Sequence, residues 1–297
     1  MKSDHDSRMA RVRTVLDGLS IGDAFGQQFF SVGVRETCLS QRHLPLPRWK
    51  YTDDTAMALG IVEILQRDEN IDQDALAEVF ARRYSVEPDR VYGAGARELL
   101  SQLVKGANWR DSSRKLFGSE GSYGNGAAMR VAPIGAYFAD DLSEVVEQSR
   151  RSAEVTHSHS EGIAGAIAVA VATAVAMVDR SADLLDTTIA RTPASMVRNG
   201  LIVAQSQGLE EWTHVVAATL GNGSQISAQD TVPFCIWCAA ANRRNFTEAM
   251  WQTVQVGGDI DTNCAIVGGI VAAAVGDGGI PELWRRARES LWMDSTR

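Results

Sequence analysis

The sequence predicts an all-α fold: one compact multi-helix domain over residues 1–297, with residues 1–8 as a flexible tail. Three observations predict it. Apolar residues recur at helical spacing, as in Leu76, Val79 and Phe80, while β-branched residues sit among alanines rather than in strand-like alternation. Two runs, Ile163–Val178 and Ala265–Val275, consist mostly of Ala, Val and Ile, and helices apolar on every side belong in a protein's centre. No internal repeat or low-complexity linker divides the chain, so one domain is expected. At sixteen residues, the first apolar run falls short of the roughly 20 needed to span a bilayer.

In order, Val12, Val15, Leu16 and Leu19 lie on one face of a first helix. It runs into Gly22-Asp23-Ala24-Phe25-Gly26, where glycines permit a tight turn or the close approach of a ligand. Residues 27–50 contain Pro45 and Pro47 and few periodic apolar residues, which predicts a long surface loop. Helices are then expected at 53–67, 73–85, 94–105, 126–138, 142–153 and 158–178. Further ones are expected at 183–191, 194–205, 210–220, 228–242, 246–255, 261–275 and 281–290.

The formal charge of −8 argues against non-specific nucleic-acid or membrane-surface binding, but is compatible with a local anion site made of amides or metal ions. Cys38, Cys235, Cys238 and Cys264 have no framework spacing. Cys235-Ile-Trp-Cys238 is a lone pair in an apolar segment, so buried reduced thiols are expected rather than a zinc site. No apolar stretch of signal-peptide kind opens the sequence, and the expected compartment is the cytoplasm.

Three clusters carry chemistry. Tyr51-Thr52-Asp53-Asp54-Thr55 places two carboxylates in a helix's first turn, where negative charge is favoured. Neighbouring helical residues point about 100° apart, so the pair suits two hard cations better than it chelates one. Oxygen ligands of this kind favour magnesium or manganese. Gly257-Gly258-Asp259-Ile260-Asp261-Thr262 repeats the chemistry at the start of the second buried run. If the two ends meet, four carboxylates and two hydroxyls converge, which is repulsive without cations. Between them, Gly121-Ser122-Tyr123-Gly124-Asn125 leads into Gly126, a glycine-rich turn before an expected helix start that offers amides to phosphate oxygens or is simply a flexible, Asn-capped loop. It is not a Walker loop, since Gly-Lys-Ser/Thr is missing. His157, just before the apolar run, is placed either to face a pocket or to make an interface hydrogen bond.

Taken together, these residues resemble the ADP-ribosylglycohydrolases, a family that includes the dinitrogenase-reductase-activating glycohydrolase, the ADP-ribosyl-acceptor hydrolases and the J1 crystallins. The match runs in order from Gly22–Gly26 through Tyr51–Met57, Gly121–Gly126, Ala128-Met129-Arg130-Val131-Ala132 and Thr156-His157 to Gly257–Thr262. The resemblance implies an all-α fold around two Mg²⁺ or Mn²⁺ ions. It implies Thr52, Asp53, Asp54, Asp259, Asp261 and Thr262 as metal ligands. It further implies Gly121, Ser122, Tyr123, Gly124, Asn125 and Gly126 as the loop holding the distal ribose and diphosphate, with His157 at a phosphate. The implied partner is ADP-ribose or an ADP-ribosylated protein, and the implied reaction is hydrolysis of the glycosidic bond joining ADP-ribose to its acceptor.

One position departs from the pattern. Several relatives carry a glutamate seven residues beyond the Gly-Asp aspartate, over the metals, and that position here is Phe30. Glu36 is the nearest carboxylate and is the expected acid or base; the alternatives are a water activated with an aspartate's help, or an ADP-ribose-binding protein that does not turn over. Prenyl-diphosphate enzymes also hold magnesium with aspartates, but their second metal motif lies within a helix rather than at a glycine turn.

Overall fold

The computed structural model describes residues 4–179 and 183–291. Among the described residues there are sixteen α-helices, opening with α1 (Asp4–Gln28), α2 (Val32–Cys38), α3 (Asp53–Asp68), α4 (Gln73–Val86), α5 (Ala94–Val104) and α6 (Trp109–Ser119). Then come α7 (Ala132–Tyr137), α8 (Leu142–Glu154), α9 (Ser160–Val178), α10 (Leu184–Arg191) and α11 (Met196–Ser206). The last are α12 (Thr213–Leu220), α13 (Ala228–Ala241), α14 (Phe246–Gln255), α15 (Ile260–Val275) and α16 (Glu282–Ala287). Among the described residues there is no strand, only isolated bridges at Trp49 with Arg288 and Gly124 with Ser227. The all-α expectation holds.

The two apolar runs are the central helices. By length and composition α9 would cross a membrane, yet 83% of its apolar window is buried, among α7, α8, α10, α13 and α15. The most extensive helix pair joins α1 to α15. A methyl on Gly22 would lie 2.1 Å from the Cys264 carbonyl oxygen, and one on Gly268 would lie 2.4 Å from that of Gly18. Bare backbone on both sides lets the helices touch. The glycines expected to permit a tight turn or the close approach of a ligand therefore serve helix contact instead, and α1 runs unbroken to Gln28. This contact fixes Asp23 against the start of α15.

Other differences have local causes. Residues 4–8, expected in the tail, form the first turns of α1, while residues 1–3 lie outside the described residues. The loop predicted at 27–50 contains α2, which buries no residue and so leaves no apolar stripe to read. α6 was missed although Asn108 caps it through Arg110 N and Asp111 N and Trp109 and Leu116 are buried; its charged middle hid the pattern. The helix predicted at 126–138 is instead a 3-10 turn at Asn125–Ala127 followed by α7. Pro133 explains the break, because its ring starts a helix readily but interrupts one already running.

Candidate active site: a cleft with an acidic floor

A cleft of about 710 Å³ opens between these elements, within the size range of small-molecule sites. Its floor is lined by Asp53, Asp54, Asp259, Asp261 and Thr262, so the two predicted carboxylate clusters do meet. Thr52 is buried behind them. The Gly257-Gly258 turn makes the junction, with φ of +71° and +76°. A methyl on Gly258 would sit 1.9 Å from the Asn222 carbonyl oxygen, so glycine is required on both counts.

Asp23 organises the floor from below. Its fully buried carboxylate accepts from Thr52 N at 3.0 Å, Thr52 Oγ1 at 2.8 Å, Thr55 N at 3.1 Å and Thr55 Oγ1 at 2.5 Å. With Asp54 and Asp261 it forms a buried triad whose carboxylate oxygens lie within 4.8 Å of one another. Its contacts to Thr52 and Thr55 hold the start of α3 in place beneath Asp53 and Asp54. Asp23 lies in the Gly22–Gly26 motif with no role legible along the chain; only the fold shows the donors converging on it.

The floor is short of positive charge and short of protons. Thr52 Oγ1 has one hydrogen, yet lies 2.8 Å from Asp23 Oδ1 and 3.0 Å from Asp54 Oδ2. One of these oxygen pairs therefore lacks a hydroxyl proton between its members. Asp54 Oδ1 is buried with no hydrogen-bond partner among the described residues. Burial and the charge of Asp23 push Asp53 up to about 7, and push Asp54 well above the usual carboxylate range. Asp261 is raised by burial and by Asp259, and Asp259 is raised by burial against the pull of its hydrogen bond from Asn125. A buried cluster of oxygens with an orphaned lone pair fits a hard divalent cation, and a proton is the competitor for the same place.

The rest of the cleft has the opposite character. Ser122, Tyr123, Gly124, Asn125 and Gly126 line it, while Gly121 (φ +76°) packs behind, where a methyl would come 2.2 Å from Ser158 Oγ. Asn125 ties this loop to the floor: its Nδ2 donates to Asp259 Oδ2 at 2.7 Å and to Thr231 Oγ1 at 3.0 Å. His157 lines the wall, 9% exposed, with burial and Arg130 pulling its pKa down to about 3. Beyond it, Phe117 and Tyr123 form an aromatic wall, ring centroids 6.3 Å apart at 36°. Phe117 holds φ of +51°, a left-handed conformation uncommon for a bulky residue, at the end of α6. Periodicity gave no hint of Phe117, because its ring direction comes from that backbone kink.

Glu36, the expected acid or base, is not brought to the site. It lies on the exposed side of α2 and does not line the cleft, whereas Phe30 and Gln27 do. The helical turn of residues 32–38 carries its side chain outward. Trp49 lies in an aromatic core with Phe25, Trp284 and Trp251 beneath the site. Cys235, Cys238 and Cys264 are buried free thiols, as expected, and Cys38 is a partly buried one.

The model of the ADP-ribosylglycohydrolase family matches residues 4–296. ADP-ribosylhydrolase ARH3 of Mus musculus is 30% identical over 275 residues, covering 81% of this chain and 74% of the relative. The Homo sapiens protein of the same name is 29% identical, covering 95% and 90%. ADP-ribosylarginine hydrolase Tri1 of Pseudomonas putida (strain GB-1) is 24% identical, covering 94% and 74%. A solved ADP-ribosylglycohydrolase-related protein complex superposes with a TM-score of 0.65 at 26% identity, over 96% of this chain and 94% of that one. Matched by the family model over residues 4–296 and 30% identical to the mouse protein over 81% of its own length, the chain belongs to the ADP-ribosylglycohydrolase family of hydrolases.

Proposed function

We propose that the protein hydrolyses the glycosidic bond between ADP-ribose and a protein side chain or related acceptor, with two magnesium or manganese ions at the acidic floor. The observation that carries this reading is the union, in one cleft, of an oxygen cluster starved of positive charge and a loop-and-histidine wall suited to an anion. The names of two relatives, ADP-ribosylhydrolase and ADP-ribosylarginine hydrolase, agree with it. Thr52, Asp53, Asp54, Asp259, Asp261 and Thr262 would hold the cations, which when bound supply Lewis-acid chemistry to ribose hydroxyls and water at the bond to be broken.

The chain's own groups account for the remainder. The loop at 122–126 and His157 hold the diphosphate, so binding energy far from the reacting carbon fixes its position. Phe117 and Tyr123 offer planar apolar surface to the base. Asp23 and Asn125 keep the floor and loop in register. The cleft-lining carboxylates are all aspartates of the floor, so proton transfer to or from the bond runs through them and water.

Release of free ADP-ribose from arginine-linked and serine-linked substrates, with magnesium and with EDTA, tests the reading. Magnesium-dependent release from either is expected; release undiminished by EDTA would contradict the metal assignment. A second reading, ADP-ribose binding without turnover, is favoured by Phe30 on the cleft wall and Glu36 outside it. It predicts tight ADP-ribose binding with no release from either substrate, and cleavage of any ADP-ribosyl linkage would exclude it.

A further inference from the structure

Arg130 is fully buried in the cleft wall behind the glycine-rich loop. Its Nη1 donates to the Gly126 carbonyl oxygen at 3.0 Å, and its Nη2 to the Ser152 carbonyl oxygen at 3.1 Å and to Thr156 Oγ1 at 2.8 Å. The guanidinium also lies against the Phe80 ring, 4.9 Å from its centroid. Thr156 Oγ1 in turn lies 2.7 Å from His157 Nδ1. A guanidinium only donates, so Thr156 accepts from it. The hydroxyl's single hydrogen then has one partner among the described hydrogen bonds, His157 Nδ1. If Nδ1 carried a proton instead, the hydroxyl hydrogen of a buried threonine would be left without an acceptor, which costs free energy.

Nδ1 therefore accepts, and the neutral imidazole carries its hydrogen on Nε2. The ring is held against rotation by bare backbone on two sides. A methyl on Gly126 would come 3.1 Å from its Cε1 and 3.2 Å from its Nε2, and one on Gly162 would come 3.0 Å from its Cβ. Nε2 has no protein partner among the described hydrogen bonds, and the ring lines the cleft beside Gly124 and Gly126.

We propose that Arg130 and Thr156 are positioning residues that lock His157 as its Nε2–H tautomer and present that hydrogen to the anionic part of the ligand. The proposal deepens the reading of the cleft as a diphosphate site and rests on it for the identity of the anion. A fixed neutral donor binds a phosphate oxygen without requiring protonation, so this contact persists across neutral pH. Arg130 also ties the loop to the same unit through Gly126, so one buried cation sets both the loop's seat and the direction of the imidazole hydrogen.

Long-range ¹H–¹⁵N correlation on the ligand-free protein reads the tautomer directly, with His157 assigned from the His157→Gln spectrum. A pure Nε2–H pattern is expected, and an Nδ1–H pattern in the wild-type protein would overturn the proposal before any variant is made. Thr156→Val keeps the shape and removes the hydroxyl; it is expected to mix the tautomers and weaken ADP-ribose binding about tenfold, the order lost with a hydrogen bond to a charged group. Thr156→Ser is expected to restore both. Arg130→Lys is expected to relax the tautomer; a pure Nε2–H pattern there would remove Arg130 from the relay. An unchanged pattern and affinity in Thr156→Val would overturn it altogether. Wild-type protein with the Nε2–H pattern but no affinity for ADP-ribose would support the lock and overturn the diphosphate reading, so the two failures are distinguishable.

Discussion

The two ends of the cleft are built on opposite electrostatic plans. At the floor, Asp53, Asp54, Asp259 and Asp261 share a buried space with no protein cation among the cleft-lining side chains beside them except Arg130, which is committed to Gly126, Ser152 and Thr156. Along the wall, Arg130, Thr156 and His157 satisfy one another in a chain. The wall is internally paired apart from the His157 Nε2 that faces the cleft and the Arg130 Nε, whereas the floor needs a proton or an external cation. On the function proposed above, cations would serve the chemistry at one end and preorganised neutral donors the binding at the other.

The largest effect should come from breaking the floor. Asp261→Ala is expected to lower magnesium-dependent release of ADP-ribose by about 10²-fold or more with an unchanged far-ultraviolet circular dichroism spectrum, since electrostatic stabilisation of this kind is worth about that much. Full activity in a folded variant would remove Asp261 from the ligand set. At the other end, Phe117→Ala is expected to weaken ADP-ribose binding by about 1–3 kcal/mol, the usual worth of stacking on an aromatic ring. Cation affinity should be untouched; loss of cation binding in that variant would mean that the two ends are not separable.

Asp23→Asn probes the support beneath the floor. It is expected to cost about 10–100-fold in cation affinity, as loss of a partner that orients ligands typically does. An unchanged affinity in titration calorimetry would show that the threonines hold their places without it.

Stability against pH sharpens the contrast further. The floor carboxyls have raised pKa values when folded, so they bind more protons in the folded than in the unfolded state. In EDTA the unfolding temperature is therefore expected to fall as pH rises from the unfolded carboxyl value of 3.8 through the folded Asp53 value of about 7. Magnesium should flatten that decline, because cation and proton compete for one place. A profile that is the same with and without magnesium would contradict the competition. The smallest effect is expected for Glu36→Gln: from an exposed position outside the cleft, it should leave turnover within about twofold, as surface substitutions do. A large loss would bring Glu36 back into the chemistry.

Much of this was legible in the sequence because its signals are local. Thr52-Asp53-Asp54 before an apolar run and Gly257-Gly258-Asp259 before another mark helix starts, and α3 and α15, the helices they open, bring the two clusters to one cleft. The role of Asp23 was not legible, because its donors arrive from residues 29 and 32 positions away. Nor was the role of Gly22: a glycine in a turn and a glycine at a helix contact read alike until the partner helix is known. Phe117 and α2 escaped for the same reason in reverse, since a kinked residue and an unburied helix leave no periodic trace. Counting along the resemblance led to Phe30, Glu36 was the nearest carboxylate beyond it, and the loop folded into a helix that turned Glu36 away.

Calorimetric titration of the metal-free protein with manganese at pH 7 tests the central claim most directly. Two ions bound per chain, with binding abolished in Asp54→Asn and Asp261→Ala and retained in Phe117→Ala, is the result predicted. Absence of binding to the folded wild-type protein, or binding indifferent to both aspartates, would contradict it.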